Sequence, residues 1–399
     1  MRISLLTPAL ALMFSAACNA QTPAQPENKA AAGQAGDGTF TPSRSRPFNT
    51  STLTSFDEPW ALTFIPGGPW ALVTERKGKL ILLDTRDNSK YEVSGVPTVS
   101  YGGQGGFGDV VAAPDPDPTD KIHPIYLSWA EEGENDTRGA VVASANIVIN
   151  SMADQIGALQ DVKIIWRQSE KVTGRGHFGH RIAIAPDQKH IFISSSDRQK
   201  FDPAQDMNSN LGKIIRLNLD GSIPADNPFA DKGGVTAQIW SLGQRNPLSI
   251  AFDRDGKLWE SEMGPKGGDE INLITPRGNY GYPKVSNGDH YDGKPIPDHA
   301  SGDGFLPPKA WWNPSISPGG MAYYDGRLFP QWRNSLLLAA LSGQALIRLQ
   351  IDGEAVRKAD HWDMGARIRE VESAPDGSVW VLEDGENAKL LKLTPKPQN

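Results

Sequence analysis

The chain has 399 residues, a formal net charge of −7 and a single cysteine. The acidic balance gives no reason to expect nucleic acid as a partner, and one cysteine excludes a disulfide framework, so the core alone must hold the fold. Forty-one glycines, thirty-one prolines and eleven tryptophans point instead to a turn-rich, all-β body.

Met1-Arg2 gives a short positive start, Leu5 to Ala17 is apolar apart from Thr7, Pro8 and Ser15, and small residues gather from Ala16 to Ala20. Residues 1–20 thus have the layout of a secretory signal peptide, with an apolar run too short to span a bilayer as a helix. Cys18 stands where a bacterial lipoprotein carries its lipid anchor; the other reading is ordinary cleavage at a small-residue site, with Cys18 discarded. Both predict export, to the periplasm or to an outer-membrane-anchored lipoprotein. Residues 21–47 are rich in Ala, Gln, Pro, Gly and Ser, and such a stretch buries too little to offset its ordering entropy, so it reads as a flexible linker. No long uncharged apolar run follows, and no transmembrane segment is expected.

Residues 48–399 repeat one theme: an apolar strand, a turn built on Pro, Asp and Gly, and a second apolar strand. The copies begin at Trp60, Gly108, Arg181, Leu248, Gly320 and Val371, and pair with runs at Trp70, Ile125, Ile191, Leu258, Leu336 and Val379. Asp255-Gly256 and Asp376-Gly377 are strong hairpin turns. No amphipathic helix of useful length intervenes. Six such units predict a six-bladed β-propeller with four-stranded antiparallel blades, with large insertions between blades two and five as the natural place for a site. A β-sandwich with similar hairpins is the alternative.

Four stretches carry chemistry. His177 lies in the glycine-rich loop Gly174–Arg181, just before a predicted inner strand, and Asp197 ends the paired strand; the hairpin would bring them together, so that Asp197 could hold the imidazole in one tautomer. Arg245 and Asn246, restrained by Pro247, present a charged fork and an amide. Glu262 to Asn272 offers carboxylates, an Asn and Gly264-Pro265 carbonyls, oxygen ligands that suit Ca²⁺. Arg367 and Arg369 alternate on one strand, so both guanidiniums would face one way as an anion clamp. Three of them have a bland alternative: a loop hydrogen-bonder for His177, a blade-edge arginine for Arg245 and a solvated strand end for Arg367 and Arg369.

In order, Gly103-Gln104-Gly105-Gly106, the His177 loop, Asn210–Asn218 with Asp220–Phe229, Arg245-Asn246-Pro247, Gly264–Glu270 and Arg367-Ile368-Arg369 resemble the soluble PQQ-dependent glucose and aldose sugar dehydrogenases, from about Pro59 to Leu393. The resemblance implies oxidation of an aldose at C1 to the lactone, with hydride passing to PQQ and His177 taking the hydroxyl proton. It implies that Gln104 lies beside cofactor and sugar, that Asp197 orients His177, and that Arg245 and Asn246 face the quinone oxygens, with Arg245 stabilising the developing charge. Tyr291, Ala340-Leu341-Ser342 and Arg367-Ile368-Arg369 would complete the PQQ pocket. Gly264 and Pro265 carbonyls would hold a catalytic Ca²⁺, and Glu270 with the Tyr280 carbonyl a structural one. Ser342 stands where the family usually places a lysine, and Met263 where it has a polar residue. The expected partners are an aldose and an unidentified electron acceptor, with no nucleic acid, and the protein a monomer or homodimer.

Two other readings compete. A calcium-dependent lactone hydrolase of propeller fold would need carboxylates and Asn ringing one metal in the central channel. A non-catalytic propeller binding module would need only the fold.

Overall fold

Runs of branched and aromatic residues that break at Asp-Gly or Pro-Asp turns fold back on themselves as hairpins. In the computed structural model, which describes residues 42–397, those hairpins are the two innermost strands of six antiparallel sheets. Blade 1 comprises Pro59–Phe64, Trp70–Glu75, Lys79–Asp84 and Lys90–Glu92. Blade 2 runs through Phe107–Ala112, Ile122–Glu132, Thr137–Ile149 and Gly157–Arg167, with the short Val172–Thr173 as a fifth strand. Blade 3 holds Gly179–Ile184, His190–Ser195, Lys213–Asn218 and Ile239–Leu242; blade 4 holds Pro247–Phe252, Leu258–Glu262, Asp269–Ile274 and Ala310–Trp312. Blade 5 holds Pro318–Tyr324, Ser335–Ala340, Ala345–Asp352 and Ala355–Asp363. The innermost strands touch their neighbours in order, and that of blade 6 touches that of blade 1, so the ring closes.

Blade 6 is built from both ends of the chain. Ile368–Ser373, Val379–Glu383 and Ala388–Pro395 take Phe48–Phe56 as their outermost strand, in register from Phe48 opposite Pro395 to Phe56 opposite Ala388. The sequence reading did not assign this strand. The last residues of the expected linker also pack on the body: Ser43 donates to His361 O at 2.7 Å and accepts from Asp363 N at 3.0 Å. The expected signal peptide and Cys18 lie outside the described residues. Among the described residues there is no α-helix, only four short 3₁₀ turns, and no helix is long and apolar enough to cross a membrane.

The core lies between blade faces. Between blades 5 and 6, Trp332 stacks on Phe329 at 3.9 Å and on Trp362 at 4.8 Å, and Phe48 meets Trp362 edge-on, which ties the returning strand into the core. The large insertions fall inside blades 3 and 4, between paired strands, at residues 196–212, 219–238 and 275–309.

One irregularity recurs in all six blades. Each innermost strand breaks register with its neighbour at its start: at Pro59/Ala61, Phe107/Val110, Gly179/Ile182, Pro247/Ser249, Pro318/Met321 and Ile368/Glu370. An extra residue in one strand bends it and re-aims a side chain. Here the re-aimed residues Trp60, His180, Leu248 and Arg369 all line one central cavity. In blades 2 and 5 the stretch contains glycines, where a side chain would collide: a Cβ on Gly108 would lie 1.9 Å from His180 Cε1.

Candidate active site

Two adjoining cavities open where the loops of all six blades converge. The first, about 250 Å³, is lined by Gln104, Phe178, Met263, Leu341, Arg367 and Arg369, above the ring of re-aimed residues. The second, about 260 Å³, is lined by His177, Arg245, Pro265, Tyr282, His290 and Tyr291. Eight of the expected site residues are thus divided between two spaces that meet along His177-Phe178: Gln104, Leu341, Arg367 and Arg369 in the first, His177, Arg245, Pro265 and Tyr291 in the second.

His177 is buried, and its Nδ1 lies 2.7 Å from Asp197 Oδ1. A carboxylate oxygen accepts, so the proton resides on Nδ1 and Nε2 keeps its lone pair. Burial lowers the His177 pKa below the usual imidazole value; Asp197 opposes that shift, while Arg245 and Arg198 add to it. The group is therefore a free base at neutral pH. Asp197 also accepts Gln199 N at 2.9 Å, and Gln104 Oε1 accepts His177 N at 2.7 Å.

This corner is strained. His177, His180, Arg198, Gln199 and Phe201 all adopt positive φ between 50° and 64°, at a cost of roughly 1–3 kcal/mol each for non-glycine residues. Arg198, which the sequence reading did not single out, holds the conformation. Its guanidinium donates to the carbonyls of Gly174 at 2.7 Å, Gly176 at 2.8 Å and Arg138 at 2.5 Å, and lies over the Phe178 ring. Beside it His180 donates or accepts with Ser128 at 2.8 Å and stacks on Trp60; burial keeps it neutral, with its pKa lowered to about 3.

Arg245 and Asn246 sit on a turn fixed by Glu262, whose Oε2 accepts their backbone N–H groups at 2.5 and 3.1 Å. Arg245 Nη1 donates to the carbonyls of Met263 and Gly264 at 2.8 and 2.6 Å. Arg245 Nε and Asn246 Nδ2 are buried donors without a protein partner, which is costly unless a ligand oxygen completes them. Arg367 and Arg369 do face the same way, and both bind Asp384: Arg367 Nε at 2.8 Å to one oxygen, Arg369 Nε and Nη2 at 2.9 and 2.8 Å to the other. Tyr291 is 74 % exposed at the cleft mouth. Ser342 is exposed and bonds Ser317 Oγ at 2.9 Å. Ala340 and Ile368 are fully buried among core side chains, so only their main chain can serve a ligand.

Toward the outer side of Arg245, Glu260, Glu262 and Glu270 are buried around Asn272, whose Nδ2 donates to one oxygen of each at 3.0–3.3 Å. Burial raises all three pKa values, Glu262 to about 7, and mutual repulsion adds to the rise at Glu260 and Glu270. Glu262, Gly264, Glu270 and Tyr280 bound a gap of about 10 Å³, near the lower limit for one water-sized particle. Glu260 Oε1 and Asn272 Oδ1 have no protein partner. Buried carboxylates with unfilled acceptors fit a divalent cation held by hard oxygens. Tyr280 is anchored by its hydroxyl, which donates to Leu273 O at 2.6 Å. A separate acidic trio, Asp57, Glu58 and Glu386, gathers around Lys77, whose ammonium lies 2.9–3.8 Å from them.

In the central channel, Asp109 and Glu370 close on Arg181 at 3.2 and 2.5 Å. An arginine thus stands where a channel-bound metal of the hydrolase type would have to sit.

The profile of the Glucose / Sorbosone dehydrogenase family matches residues 56–392. Aldose sugar dehydrogenase YliI of Escherichia coli strain K12 is 36 % identical over 346 residues, covering 85 % of this chain and 91 % of its own. The apo-form crystal structure of the soluble aldose sugar dehydrogenase of Escherichia coli superposes with a TM-score of 0.80 at 35 % identity, over 88 % of this chain and all of that one. The PQQ-bound aldose sugar dehydrogenase of Streptomyces coelicolor superposes with a TM-score of 0.69 at 26 % identity, over 89 % of this chain and all of that one. With a matched profile spanning nearly all of the propeller, the chain belongs to the glucose/sorbosone dehydrogenase family.

Proposed function

We propose that this protein is a PQQ- and calcium-dependent aldose dehydrogenase that oxidises the sugar at C1 to the lactone. The observation that carries the reading is His177, a neutral base oriented by Asp197, beside the unfilled donors of Arg245 and Asn246 and an arginine-lined cavity. Bound PQQ would supply the acceptor for the hydride leaving C1, and Ca²⁺ would polarise it as a Lewis acid.

The chain's own residues do the rest. His177 Nε2 takes the proton of the anomeric hydroxyl, and Asp197 stabilises the imidazolium that forms. Arg245 and Asn246 complete their hydrogen bonds on cofactor oxygens, and Arg367 and Arg369 bind cofactor carboxylates, sharing their charge with Asp384. Gln104 holds the His177 loop from the first cavity. Gly264 and Pro265 would supply carbonyl oxygens to the catalytic Ca²⁺, Glu270 and Tyr280 to the structural one. For Gly264 this requires the Arg245 guanidinium to share that oxygen or to turn toward the cofactor. The open, aromatic second cavity accepts the sugar, with Tyr291 at its mouth. The leader supports export to the periplasm, free or lipid-anchored.

The test is reconstitution. Protein made without PQQ should be inactive, should take up PQQ stoichiometrically in the presence of Ca²⁺ as followed by absorbance, and should then oxidise aldoses with an artificial acceptor dye. Nicotinamide cofactors should give nothing, and chelation of Ca²⁺ should lower both activity and melting temperature. Failure to take up PQQ would overturn the reading.

A further inference from the structure

A third guanidinium, that of Arg76, faces the first cavity. Arg76 follows the second strand of blade 1, with its side chain only 19 % exposed. Its Nη1 donates to Glu58 Oε2 at 3.1 Å, and its Nη2 to the carbonyls of Gly103 at 2.5 Å and Gly105 at 3.3 Å. A guanidinium has five N–H donors in a rigid fork, so these contacts leave some free, and the residue lines the cavity together with Arg367 and Arg369.

The charges do not balance within this group. Arg76, Arg367 and Arg369, three guanidiniums, face two carboxylates, Asp384 and Glu58; Lys77, 3.5 Å from Glu58, has Asp57 at 2.9 Å and Glu386 at 3.8 Å as partners of its own. The guanidiniums feel one another: the Arg369 pKa is lowered, chiefly by burial, with the charges of Arg181 and Arg76 adding to the effect. Clustered cations around a partly enclosed space are relieved by an anion with several charged groups. Ser342, exposed and bonded to Ser317, brings no charge to that rim.

Resting on the function proposed above, we infer that Arg76 is a cofactor-binding residue, a third cation that pairs with a carboxylate of the tricarboxylate PQQ from the blade 1 side. The same guanidinium grips the carbonyls on either side of Gln104, and Gln104 Oε1 accepts the His177 N–H. Arg76 therefore links occupancy of the cavity to the loop that presents the base.

The experiment titrates apoprotein with PQQ in the presence of Ca²⁺ at several salt concentrations, comparing wild type, Arg76→Gln and Arg76→Lys, with circular dichroism and melting to verify each fold. Arg76→Gln should bind PQQ about ten- to a hundredfold more weakly, the range of a charge-assisted hydrogen bond, and its affinity should fall less steeply with salt. Arg76→Lys should lose less affinity and keep most of the salt dependence. Unchanged affinity in Arg76→Gln would overturn the inference. Weaker binding with an unchanged salt slope would overturn it too, because that is the signature of a loop support without a carboxylate partner. Absence of PQQ uptake by the wild type would overturn the parent reading, and this inference with it.

Discussion

His177 holds a φ of +50° and a hydrogen bond to Asp197 at once, and neither is independent of Arg198, whose three carbonyl contacts fix the loop in place. Because burial lowers the His177 pKa, the free base persists below the ordinary value of about 6.5. Single-turnover reduction of bound PQQ by saturating sugar should be flat above that value and should fall with acid only at lower pH, as the imidazole is protonated. His177→Ala should keep fold and PQQ affinity but lose roughly 10²–10⁴-fold in that rate. A near-normal rate in this variant would move the role elsewhere; neutral, buried His180 is a poor substitute. Arg198→Ala removes donors from three carbonyls, those of Gly176 and Arg138 in buried contacts, so it should cost about 1.5–3 kcal/mol in chemical denaturation and slow the same step by loosening His177.

At the level of elements, four of the six register breaks bring the same strand position to the cavity in different blades, with Trp60, His180, Leu248 and Arg369 as the side chains that arrive there. Gly108 is where the pattern must yield, and Gly108→Ala should push His180 off Trp60. We expect a loss of about 1–3 kcal/mol, typical of overpacking, measured by thermal and urea melts, together with weaker PQQ uptake. The inner hairpins were readable because branched residues and Asp-Gly turns leave a strong local pattern. The outer strand Phe48–Phe56 was not: its sequence FNTSTLTSF is mostly polar, because an edge strand packs one face and leaves the other to water. The same distinction holds within the site. His177 and Asp197 could be brought together by following one hairpin. Asp384 under the arginine pair and Glu262 under Arg245 lie at the ends of the blade 6 and blade 4 inner hairpins in the same way, so following those hairpins would have found them too. Arg76 over the Gln104 loop could not be found so, since that contact crosses from blade 1 to the loop before blade 2.

For the whole molecule, a ring of blades is only as sound as its junction, and here that junction is the pairing of Phe48–Phe56 with Ala388–Pro395. Phe48 and Phe56 are only 2 % and 3 % exposed, burial worth about 1.5–3 kcal/mol apiece against a total stability of roughly 5–15 kcal/mol. A chain lacking residues 48–56 should therefore melt far lower, bind a hydrophobic dye and aggregate, which calorimetry and light scattering would register. A native-like melt would make the strand dispensable. The junction also sets a timetable for synthesis. The first strand of the propeller to leave the ribosome is the last to find its place, since its partner is made only when the chain is nearly complete. For that interval five blades can form while the sixth stands open, an exposed edge looking for a neighbour. A partner strand of similar sequence from another copy could fill it, so slow completion of the chain at high concentration is the condition under which exchange of the first strand between molecules should be sought.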